Sequence, residues 1–291
     1  MTQAPTPQKT PVPTSSVPTN TTPPQLQKVI FVGGAPRSGT SVTHALICTA
    51  QACNKYHPEI SFVRPVLESY VIGMENWEAH THAFFSIPDH LLLHVRGLLQ
   101  TQMSYIAKVL GNPPVLCVKD PLLTPNFPAL NAVLGWPVQF ITVLRHPYAV
   151  VRSFQEVIER LGQTFTAAHA QLAAEEYVRS YDHLDDPSLD GMVFWLRYED
   201  LTNPGTLEAL RAFTGLPGID PDAVWRREAH IPSPEQQADA WYSPKYHKPI
   251  NTQNRLPPLD PETQAIVSAI CAQTMQRFGY TTSGKTQNIP K

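Results

Sequence analysis

The stretch Val29-Ile30-Phe31-Val32-Gly33-Gly34-Ala35-Pro36-Arg37-Ser38-Gly39-Thr40-Ser41 decides how this chain is read. Its first four residues form a short β-rich apolar run, as found in strands buried on both faces. Gly33 and Gly34 end that run, and from Gly39 onward Ser41, Val42, Ala45, Leu46 and Thr49 recur at helical spacing, so the segment reads as strand, tight loop, helix. A strand that hands glycines to a helix N-terminus lines up backbone N–H groups in a concavity with a favourable dipole. Phosphate is the natural guest of such a loop. Against the triphosphatase pattern G-x4-G-K-[ST], Gly34, Gly39 and Ser41 fit, but Thr40 occupies the lysine position. The positive charge sits inside the loop at Arg37, where a guanidinium can reach an anionic group beyond a terminal phosphate.

Further apolar runs at Val115–Val118, Val138–Leu144 and Met192–Leu196 are each followed by a turn signal and a helical pattern. Leu91, Leu92, Val95, Leu98, Leu99, Met103, Ile106, Val109 and Leu110 mark a long helix between Pro88 and Gly111. A last helix is expected from Asp260 or Pro261 to Phe278, with Gly279 as its stop. Strands alternating with helices imply a parallel sheet. The expectation is one α/β domain over residues 29–280, with a P-loop-like central parallel sheet of four or five strands flanked by helices. Residues 1–28 hold seven prolines among Thr, Gln and Ser with no acid and no apolar cluster, a composition that favours a disordered Pro/Thr-rich tail. Residues 281–291 read as a short flexible tail.

At 291 residues the chain can bury a sizeable core. Twenty-two Lys and Arg against 24 Asp and Glu leave a net charge of -2, so no global field draws in nucleic acid or anionic lipid, and an anionic ligand needs a local cluster of donors. No apolar run approaches the roughly 20 residues of a bilayer crossing, and the start lacks a basic-then-apolar export signal, so a cytoplasmic protein without a membrane partner is expected. Cys48, Cys53, Cys117 and Cys271 lie mostly among apolar neighbours and read as small core residues; no His, Asp and Cys constellation has metal-ligand spacing, so no metal is expected. His90 and His94, at i and i+4 on the long helix, read as a solvated face.

A second anion-binding signal follows the strand Val138–Leu144. Arg145 stands at its end, Pro147 opens the next helix, and Ser153 lies eight residues after Arg145, so arginine and serine can converge on one phosphate at the sheet edge where α/β proteins bind ligands.

Together these stretches resemble the sulfotransferase family, enzymes that take their sulfuryl group from 3′-phosphoadenosine 5′-phosphosulfate. The segment from Gly34 through Pro36, Arg37, Ser38, Gly39 and Thr40 to Ser41 looks like the family's 5′-phosphosulfate loop, and Arg145 with Ser153 like its 3′-phosphate site. The arginine form of the loop is similar to that of Golgi, bacterial and tyrosylprotein sulfotransferases. Three shorter similarities to the tyrosylprotein branch follow: Cys117-Val118-Lys119-Asp120-Pro121, whose lysine would assist transfer; Arg197-Tyr198-Glu199-Asp200-Leu201, whose tyrosine would border the nucleotide; and Tyr246-His247-Lys248-Pro249-Ile250-Asn251, whose lysine would reach the donor phosphates. The family's Gly-Glu-Glu around the catalytic acid is missing, so acceptor identity is not inherited.

The resemblance implies in-line displacement at sulfur by an acceptor hydroxyl, with Arg37 and Lys119 meeting the charge that grows on the leaving oxygen and no bound metal needed. The general base should lie after the first helix, where His57, Glu59 and Glu68 are available. Placement just after the Arg64-Pro65 turn favours Glu68, with Glu59 as the second choice. The acceptor could be a protein tyrosine, a carbohydrate, a lipid or a metabolite, with Thr164–Leu184 and His230–Leu256 as its expected walls. The alternatives are a nucleotide phosphotransferase or triphosphatase, against which the missing lysine counts, and a catalytically silent nucleotide-binding scaffold.

Overall fold

The computed structural model describes residues 26–224, 249–252 and 258–281. Strands β1 (Lys28–Gly34), β2 (Val115–Lys119), β3 (Val138–Leu144) and β4 (Val193–Arg197) form a four-stranded sheet in the order β2-β1-β3-β4, parallel throughout. The sequence expectation of an α/β fold with four or five parallel strands is met at four. Helices α1 (Thr40–Ile47), α2 (Arg64–Glu75), α3 (Pro88–Val109), α4 (Phe127–Leu134), α5 (Pro147–Arg160), α6 (Ala167–Arg179), α7 (Pro204–Thr214) and α8 (Pro261–Arg277) surround it. None of the helices among the described residues is long and apolar enough to cross a membrane.

The sheet explains why its strands read as unbroken apolar runs. Val29 and Phe31 of β1 point to one face, with Leu116, Val118 and Phe140, where α2, α3 and α4 cover them. Ile30 and Val32 point to the other, with Cys117, Ile141, Val143 and Leu196, under α1 and α7. Both faces are covered, so neither can alternate polar with apolar. A third cluster, built on Val150, Val151, Tyr177, Val267 and Cys271, packs α5, α6 and α8 beyond the C-terminal end of the sheet.

The long helix α3 follows its expected period through Leu91, Val95, Leu99, Met103 and Ile106, all buried. Leu98 and Val109, which the sequence pattern included, lie instead on its outer face and are exposed. His90 and His94 are exposed as well.

β1 has β2 on one side and β3 on the other, so the chain leaves β1 at the point where strand order reverses. The crevice beyond the C-terminal ends of the strands at such a switch point is where open α/β sheets bind their ligands.

One buried histidine links this core to pH. His183 lies between Phe127, met edge-on, and the stacked ring of Trp195, and its Nε2 is 3.3 Å from Thr142 Oγ1. Burial pushes its pKa down from 6.5 to about 4. The unfolded chain binds this proton first, so the stability of the neutral, buried form is complete above pH 6.5 and is lost progressively as pH falls toward 4. The loss should reach about 3 kcal/mol. Urea titrations across that window should show this slope in the parent chain and a flattened one in His183→Gln; equal slopes would exclude the histidine as the cause.

Candidate active site

The loop after β1 is built from left-handed backbone. Gly34 has φ 125°, Gly39 has φ 109°, and between them Arg37, a residue with a Cβ, is held at φ 73°. A non-glycine residue in that region costs of order 1–3 kcal/mol unless its surroundings hold it. Here the Arg145 guanidinium donates from Nη1 to the Arg37 carbonyl at 3.0 Å, the Ser38 amide donates to the Ala35 carbonyl at 2.9 Å, and Arg37 Nε donates to Ser153 Oγ at 3.2 Å. The strained turn, the strand-end arginine and the serine of α5 are therefore one hydrogen-bonded unit.

Around it, Thr124 Oγ1 accepts from the Gly34 amide at 2.8 Å and Tyr181 donates its hydroxyl to the Val143 carbonyl at 2.9 Å, pinning the ends of β1 and β3. α1 starts after Gly39 with no side-chain cap. Its first N–H groups thus lie at the loop with the positive end of the helix dipole. Ser38 and Thr40 are buried, and Pro36, Gly39 and Ser41 are half-buried.

Tyr198 forms one wall. Its ring lies against Gly39, where any Cβ would run into it, and the Arg145 guanidinium carbon sits 4.2 Å from the ring centroid. Its hydroxyl donates to the Asn251 carbonyl at 3.1 Å. Glycine at position 39 thus meets two demands at once, positive φ and close approach of an aromatic ring. Arg145 is shared between the loop carbonyl and the Tyr198 face.

Lys119 ends β2 in register with Val32 and is buried, with 3% of its side chain exposed. Its Nζ donates to Glu59 Oε1 at 2.6 Å. Burial lowers its pKa; the Glu59 carboxylate opposes that, and the neighbouring Arg37 adds to it. The two cations assigned from sequence to the transferring group are therefore close enough to repel each other. Asp120, next in the chain, caps the turn that follows by accepting from the Leu122 amide at 3.0 Å, and burial raises its pKa.

The two candidate acids have different partners, although both side chains are nearly half exposed. Glu59 reaches Lys119 because the Ile60 amide donates to the Lys119 carbonyl at 3.2 Å and Ile60 is buried, which docks the 59–60 segment on the end of β2. Glu68 sits one turn into α2, 3.7 Å from Arg64 Nε and 44% exposed. Placement after the Arg64-Pro65 turn does not bring Glu68 onto Lys119, because that turn starts a helix whose i,i+4 pairing takes the carboxylate. His57 lies edge-on to His44 with ring centroids 4.7 Å apart, and its Nε2 is 3.1 Å from the Cys117 carbonyl oxygen. Lys248, with Tyr246 and His247, falls outside the described residues, as does most of the expected acceptor wall His230–Leu256.

Sequence reasoning missed Thr124, Tyr181 and Asn54. Asn54 clasps β2 at Cys117, accepting from its amide at 2.7 Å and donating to its carbonyl at 2.9 Å. All three act through contacts far apart in sequence, for which no periodic signal exists.

Comparison with known proteins gives one family. The sulfotransferase family profile matches residues 29–221. No curated protein matches. Among solved structures, a sulfotransferase domain from the Curacin biosynthetic pathway superposes with a TM-score of 0.50 at 20% identity, over 84% of this chain and 98% of that one. A sulfotransferase domain from the Synechococcus PCC 7002 olefin synthase gives a TM-score of 0.49 at 17% identity, over 85% of this chain and 95% of its own. The family profile spans most of the sheet, the loop and the Arg145–Ser153 unit, and the chain belongs to the sulfotransferase family.

Proposed function

We propose that this chain transfers a sulfuryl group from 3′-phosphoadenosine 5′-phosphosulfate to an acceptor hydroxyl. The observation that carries the reading is the convergence of Arg37, Arg145, Ser153 and the amides of the Gly34–Ser41 loop into one unit at the switch point of the sheet, with Lys119 beside it. The loop and the start of α1 suit the donor's 5′-phosphosulfate, and Arg145 with Ser153 its 3′-phosphate. Tyr198, stacked on Arg145, borders the nucleotide; Lys248 is proposed as a further phosphate contact. Thr40 in place of the P-loop lysine disfavours a triphosphatase reading.

In the reaction, the acceptor oxygen attacks sulfur while the bond from sulfur to the bridging phosphate oxygen breaks, and its electron pair stays on the departing 3′-phosphoadenosine 5′-phosphate. Negative charge grows on that bridging oxygen, so cations there stabilise the transition state more than the bound substrate. Arg37 and Lys119 take this part. Lys119 holds Glu59 before the donor binds; as its ammonium turns to the bridging oxygen, Glu59 is released to take the acceptor's proton. We therefore assign the base to Glu59 in preference to Glu68. The acceptor is any hydroxyl compound that the Thr164–Leu184 side admits.

Calorimetric titration of 3′-phosphoadenosine 5′-phosphate, adenosine 5′-monophosphate and ATP tests the donor site. The 3′,5′-bisphosphate should bind most tightly, and Arg145→Ala should weaken it by about 2 kcal/mol or more while leaving the monophosphate nearly unchanged. Equal weakening of both, or a preference for ATP, would remove the assignment. Transfer of label from radioactive donor to a panel of phenols, sugars and alcohols then identifies the acceptor class.

A further inference from the structure

We propose that His44, Cys48, Cys53 and Cys117 form a structural binding site for a thiophilic divalent cation of the zinc class, set in the core behind Lys119. A ring nitrogen of His44 and the sulfurs of Cys48 and Cys117 lie within 4.8 Å of one another, all three residues fully buried. Cys53, also buried, forms a β-bridge with Val115, two residues before Cys117 on β2. Zn–S bonds of about 2.3 Å in a tetrahedron put sulfurs about 3.7 Å apart, so binding would draw the side chains of His44, Cys48 and Cys117 inward and turn Cys53 onto them.

The histidine supplies an independent observation. Its Nε2 lies 3.1 Å from the Cys117 carbonyl, which can only accept, so Nε2 carries the proton and Nδ1 bears a lone pair. That Nδ1 is buried and has no hydrogen-bond partner. A ring nitrogen that donates to a backbone carbonyl while the other keeps a free lone pair is the arrangement that orients metal-ligating histidines.

The charge balance is workable. Binding a dication by three thiols and one neutral imidazole releases three protons and leaves the cluster with one negative charge, beside the Lys119 ammonium. All four positions are filled by protein, so the site has no opening for substrate and its role is structural. It would tie the end of α1 to β2, at the Cys117 carbonyl that Asn54 also grips on the way to Glu59. The ligands were illegible as a motif because β2 contributes one of them from far along the chain.

The test uses the full chain, purified reduced and refolded with Zn2+ or Co2+. About one metal per chain is expected, with the Co2+ form showing visible d–d bands of a tetrahedral site and a near-ultraviolet thiolate charge-transfer band. Loss of an outer-shell partner costs 10–100-fold in affinity, so Cys48→Ser and Cys117→Ser should each cost at least about 100-fold, whereas Cys271→Ser, remote from the cluster, should cost nothing. Because a core variant can fail to fold, thiol alkylation of the parent chain gives a second readout: Zn2+ should protect three cysteines and a chelator should expose them. No uptake, a cobalt spectrum without thiolate bands, equal loss in Cys271→Ser, or a disulfide among the three thiols with no metal would each overturn the proposal.

Discussion

Lys119→Met should lower turnover by about 100-fold or more, equivalent to about 2.7 kcal/mol of transition-state stabilisation, while donor affinity changes by less than about fivefold. Methionine keeps the length of the buried stem and removes only the ammonium, so β2 and its pairing with β1 survive. The split between kcat and binding is the diagnostic quantity. A cation that met the donor's charge equally in ground and transition states would show its loss in affinity, whereas one aimed at the bridging oxygen shows it in kcat. Single-turnover transfer at saturating donor separates the two. Normal turnover with weakened binding would reduce Lys119 to a phosphate contact, and normal values of both would reduce it to the partner of Glu59.

Glu59→Gln should be nearly as damaging, with a fall of about 100-fold or more in turnover and donor binding intact, and Glu68→Gln should be nearly silent. Glutamine keeps the shape of the side chain and can still accept from Lys119 Nζ, so what it removes is basicity. Glu68, half-buried and paired with Arg64 across one helical turn, contributes at most a few tenths of a kcal/mol to stability. The comparison is therefore made between two folded proteins. A dead Glu68→Gln beside an active Glu59→Gln would return the base to α2 and leave Glu59 as the holder of Lys119.

What could be read from the sequence was whatever repeats or stays local. The strand, loop and helix around Gly34–Ser41 were legible because a buried parallel strand, its glycines and an amphipathic helix each leave a short-range pattern, and the Arg145–Ser153 spacing could be read along one strand end and one helix. Contacts that join distant segments left no such trace. Glu59 meets Lys119 across 60 residues, and Thr124 meets the Gly34 amide across 90. The ranking of Glu68 above Glu59 rested on placement along the chain, which carries no trace of the Ile60–Lys119 backbone hydrogen bond that docks the 59–60 segment on the end of β2. The cysteines read as unrelated core residues for the same reason: Cys48, just after α1, and Cys117, in β2, come together only in the fold.

The central place of β1 has a consequence for the order of events in synthesis. β1 comes first among the described strands, yet its hydrogen-bonding partners on both edges, β2 and β3, come much later in the chain, so it emerges from the ribosome well before either of them. Loop closure over such separations is slow compared with helix formation. Until Leu144 has emerged, β1 has only β2 to pair with and Arg145 is not there to hold Arg37. Anion-binding capacity therefore arrives late, and in the meantime the nascent chain depends on helices such as α2 and α3, each with a proline in its first turn, to shield Val29 and Phe31 from other exposed strands.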